Sequence, residues 1–272
     1  MRQMDTSWIS KAGKGCIALF AAAAILTGCT DAQLQETAEQ QAVPEVVVEP
    51  PQEKQAPAEK DILIVIDPGH QSWAIDMSEL EPNAPGSSVM KAKATTGTAG
   101  TFSGTYEYAL NLDVSLRLRE LLEQRGFDTL MTREDNETAI SNAERAMMAN
   151  QAGADVLLRI HANGSEDPGA SGALALVPSA ENAYVGNLSA QSASLAQTIL
   201  DAYCSATGMA NLGIQYNDTM TGINWSEQPV VILEMGFMTN GRDDMAMADE
   251  AFRQTMAEGI AEGVEAYFEA EK

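Results

Sequence analysis

Asp61-Ile-Leu-Ile-Val-Ile-Asp-Pro-Gly-His70 is the stretch on which the fold turns. Its apolar residues run without interruption from Ile62 to Ile66. A short apolar run bounded by a turn signal predicts a strand buried on both faces, as in a parallel sheet. The run stops at Asp67-Pro68-Gly69. Proline cannot donate to a sheet ladder, and glycine admits backbone angles closed to other residues. A buried strand therefore ends in a tight turn and presents His70 at its carboxyl end. In open α/β sheets that edge is where ligands bind.

The chain has only two histidines. The second, His161, lies in Val156-Leu-Leu-Arg-Ile-His-Ala-Asn-Gly164, again where an apolar strand-like run ends. Histidine is the commonest side-chain metal ligand and the proton carrier of neutral pH. One histidine so placed is explained by a structural hydrogen bond. Two with the same placement point to a shared site.

Outward from these strands the pattern alternates. A loop covers 71–105 and is rich in Gly, Ser, Thr, Ala and Pro; loops of that length inside a domain are functional or disordered. Leu110, Val114, Leu118 and Leu121 recur at helical spacing from Glu107, and Gly126 is the stop signal. A second strand is expected at 127–132. Ser141 and Glu144 fit a capping box opening a helix through about 151. Further strands are expected at 155–160, 171–177 and 229–234. Helices are expected at 188–206, 242–248 and 250–269, with 222–225 as loop. Strands alternating with helices predict one α/β domain over 61–272.

The 272 residues, 45% of them apolar, suffice for a sizeable core. A net charge of −23 without a basic stripe disfavours nucleic acid and anionic membrane surfaces as partners. Residues 1–29 read as an export signal: Arg2, Lys11 and Lys14 precede the apolar run Cys16–Leu26, which is too short for a stable transmembrane helix. The segment ends in Leu26-Thr-Gly-Cys29, which resembles a bacterial lipoprotein signal cleaved before a lipid-bearing Cys29. Residues 30–60, with Pro44, Pro50, Pro51 and Pro57, lack the apolar content to fold alone and read as a tether. The three cysteines make neither a disulfide framework nor a metal pair. Cys204 sits in an apolar helical stretch and reads as core.

Chemistry gathers on four residues. Glu234 directly follows Val230–Leu233, and a carboxylate at the end of a buried strand must be paired, hydrogen-bonded or functional. Glu107 opens a helix, where the macrodipole alone favours an acidic residue; it is equally a candidate for the site. Two histidines and one carboxylate, with a fourth position open to water, form a known catalytic zinc arrangement. A second, unligated carboxylate then moves the proton. Glu107 and Glu234 as a glycosidase pair would leave both histidines unexplained. No Gly-x-Ser-x-Gly nucleophile elbow is present.

These motifs together resemble the zinc-dependent N-acetylmuramoyl-L-alanine amidases of the Amidase_3 type. The matching pieces are Ile66-Asp-Pro-Gly-His70, Glu107 ahead of Asn111–Leu118, Met131-Thr-Arg133, Glu144-Arg145 with Ala149-Asn150, Arg159–Gly164, and Val231–Asn240. The resemblance implies an α/β fold with a central, mostly parallel sheet flanked by helices on both faces, and Zn2+ on His70, Glu107 and His161, with Glu234 as catalytic carboxylate. It implies hydrolysis of the amide between N-acetylmuramic acid and the L-alanine of peptidoglycan stem peptides. Asp67, Arg133, Arg145 and Asn163 also match and read as scaffold. Two departures stand out: Gln71 replaces the glycine that usually follows the first histidine, and the step from His70 to Glu107 is long. Glu79 and Glu81 in the intervening loop are therefore rival ligands. The combined expectation is an enzyme of the bacterial envelope, facing the wall and anchored to the membrane through a lipid on Cys29. A catalytically silent protein that binds peptidoglycan or activates another hydrolase is the alternative.

Overall fold

The computed structural model describes residues 60–271; the expected export signal, Cys29 and the tether up to residue 59 lie outside them. No helix among the described residues is long and apolar enough to cross a membrane.

The apolar run forms strand β1 (Leu63–Pro68), which begins one residue and ends two residues later than the run Ile62–Ile66. Asp61 adopts φ 50°, a left-handed conformation that cannot extend a strand. In a central sheet β1 pairs in parallel with β4 (Asp128–Met131) and β5 (Val156–Asn163). Strand β8 (Val230–Phe237) pairs in parallel with β5 on its far side. Strand β6 (Ala173–Val177) runs antiparallel to β8, and β7 (Asn211–Tyr216) is parallel to β6. The order is β4-β1-β5-β8-β6-β7, six strands and mostly parallel.

Alternation along the strands divides the core into two layers. Ile64 and Ile66 join Leu158, Ile160, Val231 and Leu233 beneath helices α1 (Glu107–Gln124), α3 (Ser189–Thr207) and α6 (Glu250–Ala270). Val65, Leu157, Val230 and Ile232 face the opposite layer, with α2 (Asn142–Ala152) and α4 (Thr221–Asn224). Helix α2 begins at the expected capping box, where Ser141 accepts from the Glu144 amide and Glu144 accepts from the Ser141 amide. It stops at Gly153, whose φ of 68° closes the helix in the left-handed region. Helix α5 (Gly241–Ala248) follows β8 and is capped by Asn240.

The long loop after His70 carries structure of its own. Strands β2 (Leu80–Pro82) and β3 (Met90–Ala92) form a small antiparallel hairpin. It is fastened beside α4, because the Trp225 indole donates to Pro82 O at 2.9 Å and the Lys91 ammonium donates to Thr219 O. The segment 222–225, expected as loop, thus belongs mostly to a short helix against which the insertion rests.

Candidate metal centre and its surroundings

His70 leaves β1 with φ 63°, an uncommon conformation for a residue with a side chain. Its Nδ1 lies 2.8 Å from Thr95 O. Assigning the proton there makes Nδ1 the donor and leaves a lone pair on Nε2, the usual second-layer support of a ligating histidine. His161, on β5, stands opposite Glu234 on β8 in the sheet register. Just beyond, between His161 and Asn163, the register shifts, and such irregularities re-aim side chains at functional sites. Glu107 comes from a different layer, at the first turn of α1, and is 3% exposed.

Three donor atoms converge. His70 Nε2 is 3.1 Å from Glu107 Oε1 and 3.2 Å from His161 Nδ1, and His161 Nδ1 is 3.2 Å from Glu107 Oε1. A tetrahedral ion with bonds of about 2.0–2.1 Å requires ligand atoms about 3.3–3.4 Å apart. The triangle is close to that size. Two imidazole nitrogens and a carboxylate oxygen this near one another need a proton or a cation among them. His161 Nε2, on the ring's other side, is buried without a partner among the described residues.

The electrostatics suit a cation. Burial drives the His161 imidazole down to about 4, so the ring is neutral at neutral pH, as a ligand must be. Burial works to raise the Glu107 carboxyl, but its contacts with His161 and His70 outweigh it and hold the group well below the usual carboxylate range. The Thr98 and Ala162 amides also donate to it, at 2.8 and 3.2 Å. Glu234 behaves oppositely. Burial first, and then the charge of Glu107, push it up to about 8. One carboxylate is thus fixed as an anion beside another that exchanges a proton near neutrality, the separation expected between a ligand and a proton carrier.

Beneath the site lies a buried ionic scaffold. Asp67 alternates with Ile66 and so faces the α2 layer, where it is fully buried. Its carboxylate accepts from Thr132 Oγ1 at 2.5 Å, Arg145 Nη1 at 2.6 Å and Arg159 Nε at 2.7 Å. Arg145 also donates to the carbonyls of Pro68 and His70 and to Gln71 Oε1. Arg133 donates to the carbonyls of Pro68, Gly69 and Tyr108. The turn that delivers His70 is therefore held by two buried guanidiniums. Gln71 takes part in that clamp.

Glu107, rather than the rival carboxylates, meets the two histidines. Glu79 pairs with Lys93 at 2.6 Å on the surface, and Glu81 accepts from the Ala143 amide at the start of α2. Asn163 borders the centre, while Cys204 packs against the apolar core and is a poor thiolate, its thiol pushed up to about 11 by burial. Gly97, Thr95 and Lys91 had no signal in the sequence, because each lies in the insertion. At Gly97, with φ 76°, a Cβ would stand 2.4 Å from Glu107 Oε2 and 2.8 Å from His70 Cδ2, so only glycine fits against both.

Comparison with known proteins bears on this arrangement. A family model described as N-acetylmuramoyl-L-alanine amidase, Amidase_3, matches residues 64–266. The N-acetylmuramoyl-L-alanine amidase Rv3717 of Mycobacterium tuberculosis is 29% identical over 208 residues, covering 75% of this chain and 85% of that protein. The N-acetylmuramoyl-L-alanine amidase AmiA of Escherichia coli is 26% identical, covering 76% of each. Among solved structures, Ami1 of Mycobacterium smegmatis superposes with a TM-score of 0.70 at 25% identity, over 78% of this chain and 99% of its own.

Proposed function

The chain belongs to the Amidase_3 family of N-acetylmuramoyl-L-alanine amidases, and from that premise we propose that it is a zinc enzyme of the cell envelope in which Glu234 moves the proton. His70, Glu107 and His161 would hold Zn2+ through Nε2, Oε1 and Nδ1. The observation that carries this reading is the convergence of those atoms at 3.1–3.2 Å, with Glu234 opposite His161 in the sheet. When bound, the ion supplies Lewis acidity to the scissile carbonyl and acidifies water.

The chain's own groups do the rest. Glu234 accepts a proton from the attacking water as its oxygen bonds to the lactyl carbonyl carbon. The carbon–nitrogen bond breaks, and Glu234 returns the proton to the amine of L-alanine. Glu234 must start ionised, and the Glu107 charge that helps to protonate it is shared with the cation in the loaded site. Thr95 O orients His70. The amides of Thr98 and Ala162 fix Glu107. The leader and tether read from the sequence would carry the domain to the wall side of the membrane, held by a lipid on Cys29. The silent alternative has no support from a missing group, since all four side chains are present.

Release of free stem peptide from purified sacculi, with metal content measured in parallel, tests the reading. Glu234→Gln should keep its zinc and lose on the order of 10²–10⁴-fold in rate. His161→Ala should lose both, and a chelator should silence the wild type. Undiminished hydrolysis by Glu234→Gln, or undiminished zinc in His161→Ala, overturns the assignment.

A further inference from the structure

Beside the three converging side chains lies a cavity that the proton transfer does not use. It measures about 460 Å³ and is lined by His70 and His161 together with Lys91, Thr95, Arg159 and Thr221. Two of these residues, Lys91 and Arg159, are basic, in a chain whose net charge is −23. A separate depression against the same histidine and glutamate groups, lined by Asn163, Glu166, Glu234 and Thr239, has no lysine or arginine in its lining.

The cations of the first cavity are not consumed by the fold. Arg159 is 3% exposed. Its Nε binds Asp67 at 2.7 Å and its Nη2 binds Asn142 Oδ1 at 2.8 Å. Its remaining nitrogen, Nη1, has no acceptor among the described residues, yet it is not among the sealed, unpaired atoms. The backbone above it is fitted to the guanidinium: a Cβ at Gly222 would stand 2.0 Å from Nη1. Lys91 reaches the same cavity from the insertion. Its neighbour Lys93 pairs with Glu79, but the Lys91 ammonium rests on the neutral carbonyl of Thr219 and has no carboxylate partner among the described residues.

The charge below the cavity is also unbalanced. Arg133, Arg145 and Arg159 are all buried. Asp67 is the carboxylate that touches Arg145 and Arg159, and Arg133 is held only by carbonyl and amide oxygens. Burying guanidiniums in excess of their counter-ions is costly, and an anionic ligand offsets the cost.

We propose that this cavity is an anion subsite, in which Lys91 Nζ and Arg159 Nη1 hold a carboxylate of the stem peptide on the leaving-amine side of the scissile bond. The proposal rests on the amidase reading. In a muramoyl peptide the muramic carboxyl is consumed in the scissile amide, so the free carboxylates near the cut belong to the peptide. An extended peptide advances about 3.3–3.6 Å per residue, which places a carboxylate on the second residue roughly 7 Å from the cut. A cavity that shares His70 and His161 with the metal centre is within that reach. The subsite selects for charge. A carboxylate accepts from both cations, whereas a carboxamide at the same position turns a donor toward two donors.

The test uses two muramoyl tripeptides that differ only in whether the second residue carries a free carboxylate or its carboxamide. With the zinc-loaded full chain, kcat/KM should favour the carboxylate on the order of 10-fold or more, chiefly through KM. The preference should shrink at high salt, and Lys91→Gln should reduce it severalfold. Equal kcat/KM for both substrates in the wild type, or a preference that Lys91→Gln leaves intact, overturns the subsite and leaves the amidase standing. Calorimetric binding of the two free tripeptides separates the claims from the other side. If neither substrate is cleaved but the wild type binds the carboxylate form more tightly, and Lys91→Gln does not, the subsite stands without the amidase. Equal affinities overturn it. Because the wild-type preference is itself a readout, the outcome does not depend on the variant folding.

Discussion

Replacing Asp67 by asparagine removes one negative charge, and almost no volume, from the end of the strand that carries His70. In the wild type its carboxylate is fully buried and accepts from Thr132, Arg145 and Arg159 at 2.5, 2.6 and 2.7 Å. An asparagine amide offers one oxygen in place of two and turns a donor toward a guanidinium. Removing one partner of a buried ion pair costs about 3–5 kcal/mol, because the other charge is left uncompensated. Here two guanidiniums lose the same partner, which places Asp67→Asn at about 4–5 kcal/mol. Arg145 keeps bonds to Pro68 O, His70 O and Gln71. Arg159 keeps only Asn142, so it bears most of the loss.

With a total stability of about 5–15 kcal/mol, such a loss is about a quarter of the whole or more. For a urea m-value of about 2–3 kcal/mol/M, the midpoint falls by roughly 1.3–2.5 M. Urea unfolding of metal-free wild type and variant, followed by far-ultraviolet circular dichroism, measures it. The pH dependence adds a second signature. Burial acts to raise the Asp67 carboxyl, but the charges of Arg145 and Arg159 win and hold it far below its usual 3.8. A carboxyl depressed in the folded state contributes stability that is present above its unfolded pKa and lost as the pH falls. The gap between wild type and variant is therefore full above about pH 4 and narrows below it. A midpoint shift below about 0.3 M at pH 7, or a gap that widens in acid, refutes the reasoning.

Glu234 yields the opposite slope. Its carboxyl is raised to about 8 by burial and by the Glu107 charge. A carboxyl raised in the folded state contributes stability that is fully present below its unfolded value of 4.5 and lost as the pH rises toward 8. Metal-free Glu234→Gln should therefore gain stability on the wild type between pH 5 and pH 8, by thermal melting at the two values; parallel curves would count against the shift. Gly97→Ala, at φ 76° and against both Glu107 and His70, should cost about 1–2 kcal/mol of stability and weaken zinc binding about 10-fold or more. Competition with a chromogenic chelator reads that affinity, and wild-type affinity would show that the insertion does not shape the centre.

The strands that deliver the site were legible because burial on both faces left them no polar positions. Ile62–Ile66 and Val230–Leu233 are apolar runs that end in a turn or a carboxylate, and each lands beside a residue of the centre. The capping box before α2 was equally direct, being a local hydrogen-bond exchange. Strand β7 was not legible. It lies at the sheet edge, four of its six residues are exposed and none is buried, and Gly213 at φ 80° interrupts the pattern that would announce it. The hairpin β2–β3 has three residues in each strand, too few for a period, and distant partners on the α4 side fasten it. Arg159 has no signal of its own in the sequence beyond opening the matching piece Arg159–Gly164. Its three-way contact with Asp67, Asn142 and Gly222 exists only once β1, α2 and α4 have come together.

The long step from His70 to Glu107 was the weak point of the sequence reading, and the structure explains why length does not matter there. Loop closure grows only as the logarithm of length, so doubling a loop costs about 0.6 kcal/mol. The position of Glu107 is not set by the loop's span. Oε1 is held by the Ala162 amide of β5, and Oε2 by the Thr98 amide, while Leu110, Val114 and Leu118 lock α1 into the core. His161 is held by its register against β8, with neighbouring strands about 4.8 Å apart. The two histidines and the glutamate therefore meet through the sheet, through α1 and through the last turn of the insertion at Thr95–Thr98, and the earlier part of the insertion builds something else. What it builds is the hairpin wall that brings Lys91 beside Arg159. The additional loop length that made Glu107 ambiguous in the sequence is, in the fold, the source of the cation that would give this amidase its preference for a charged stem peptide.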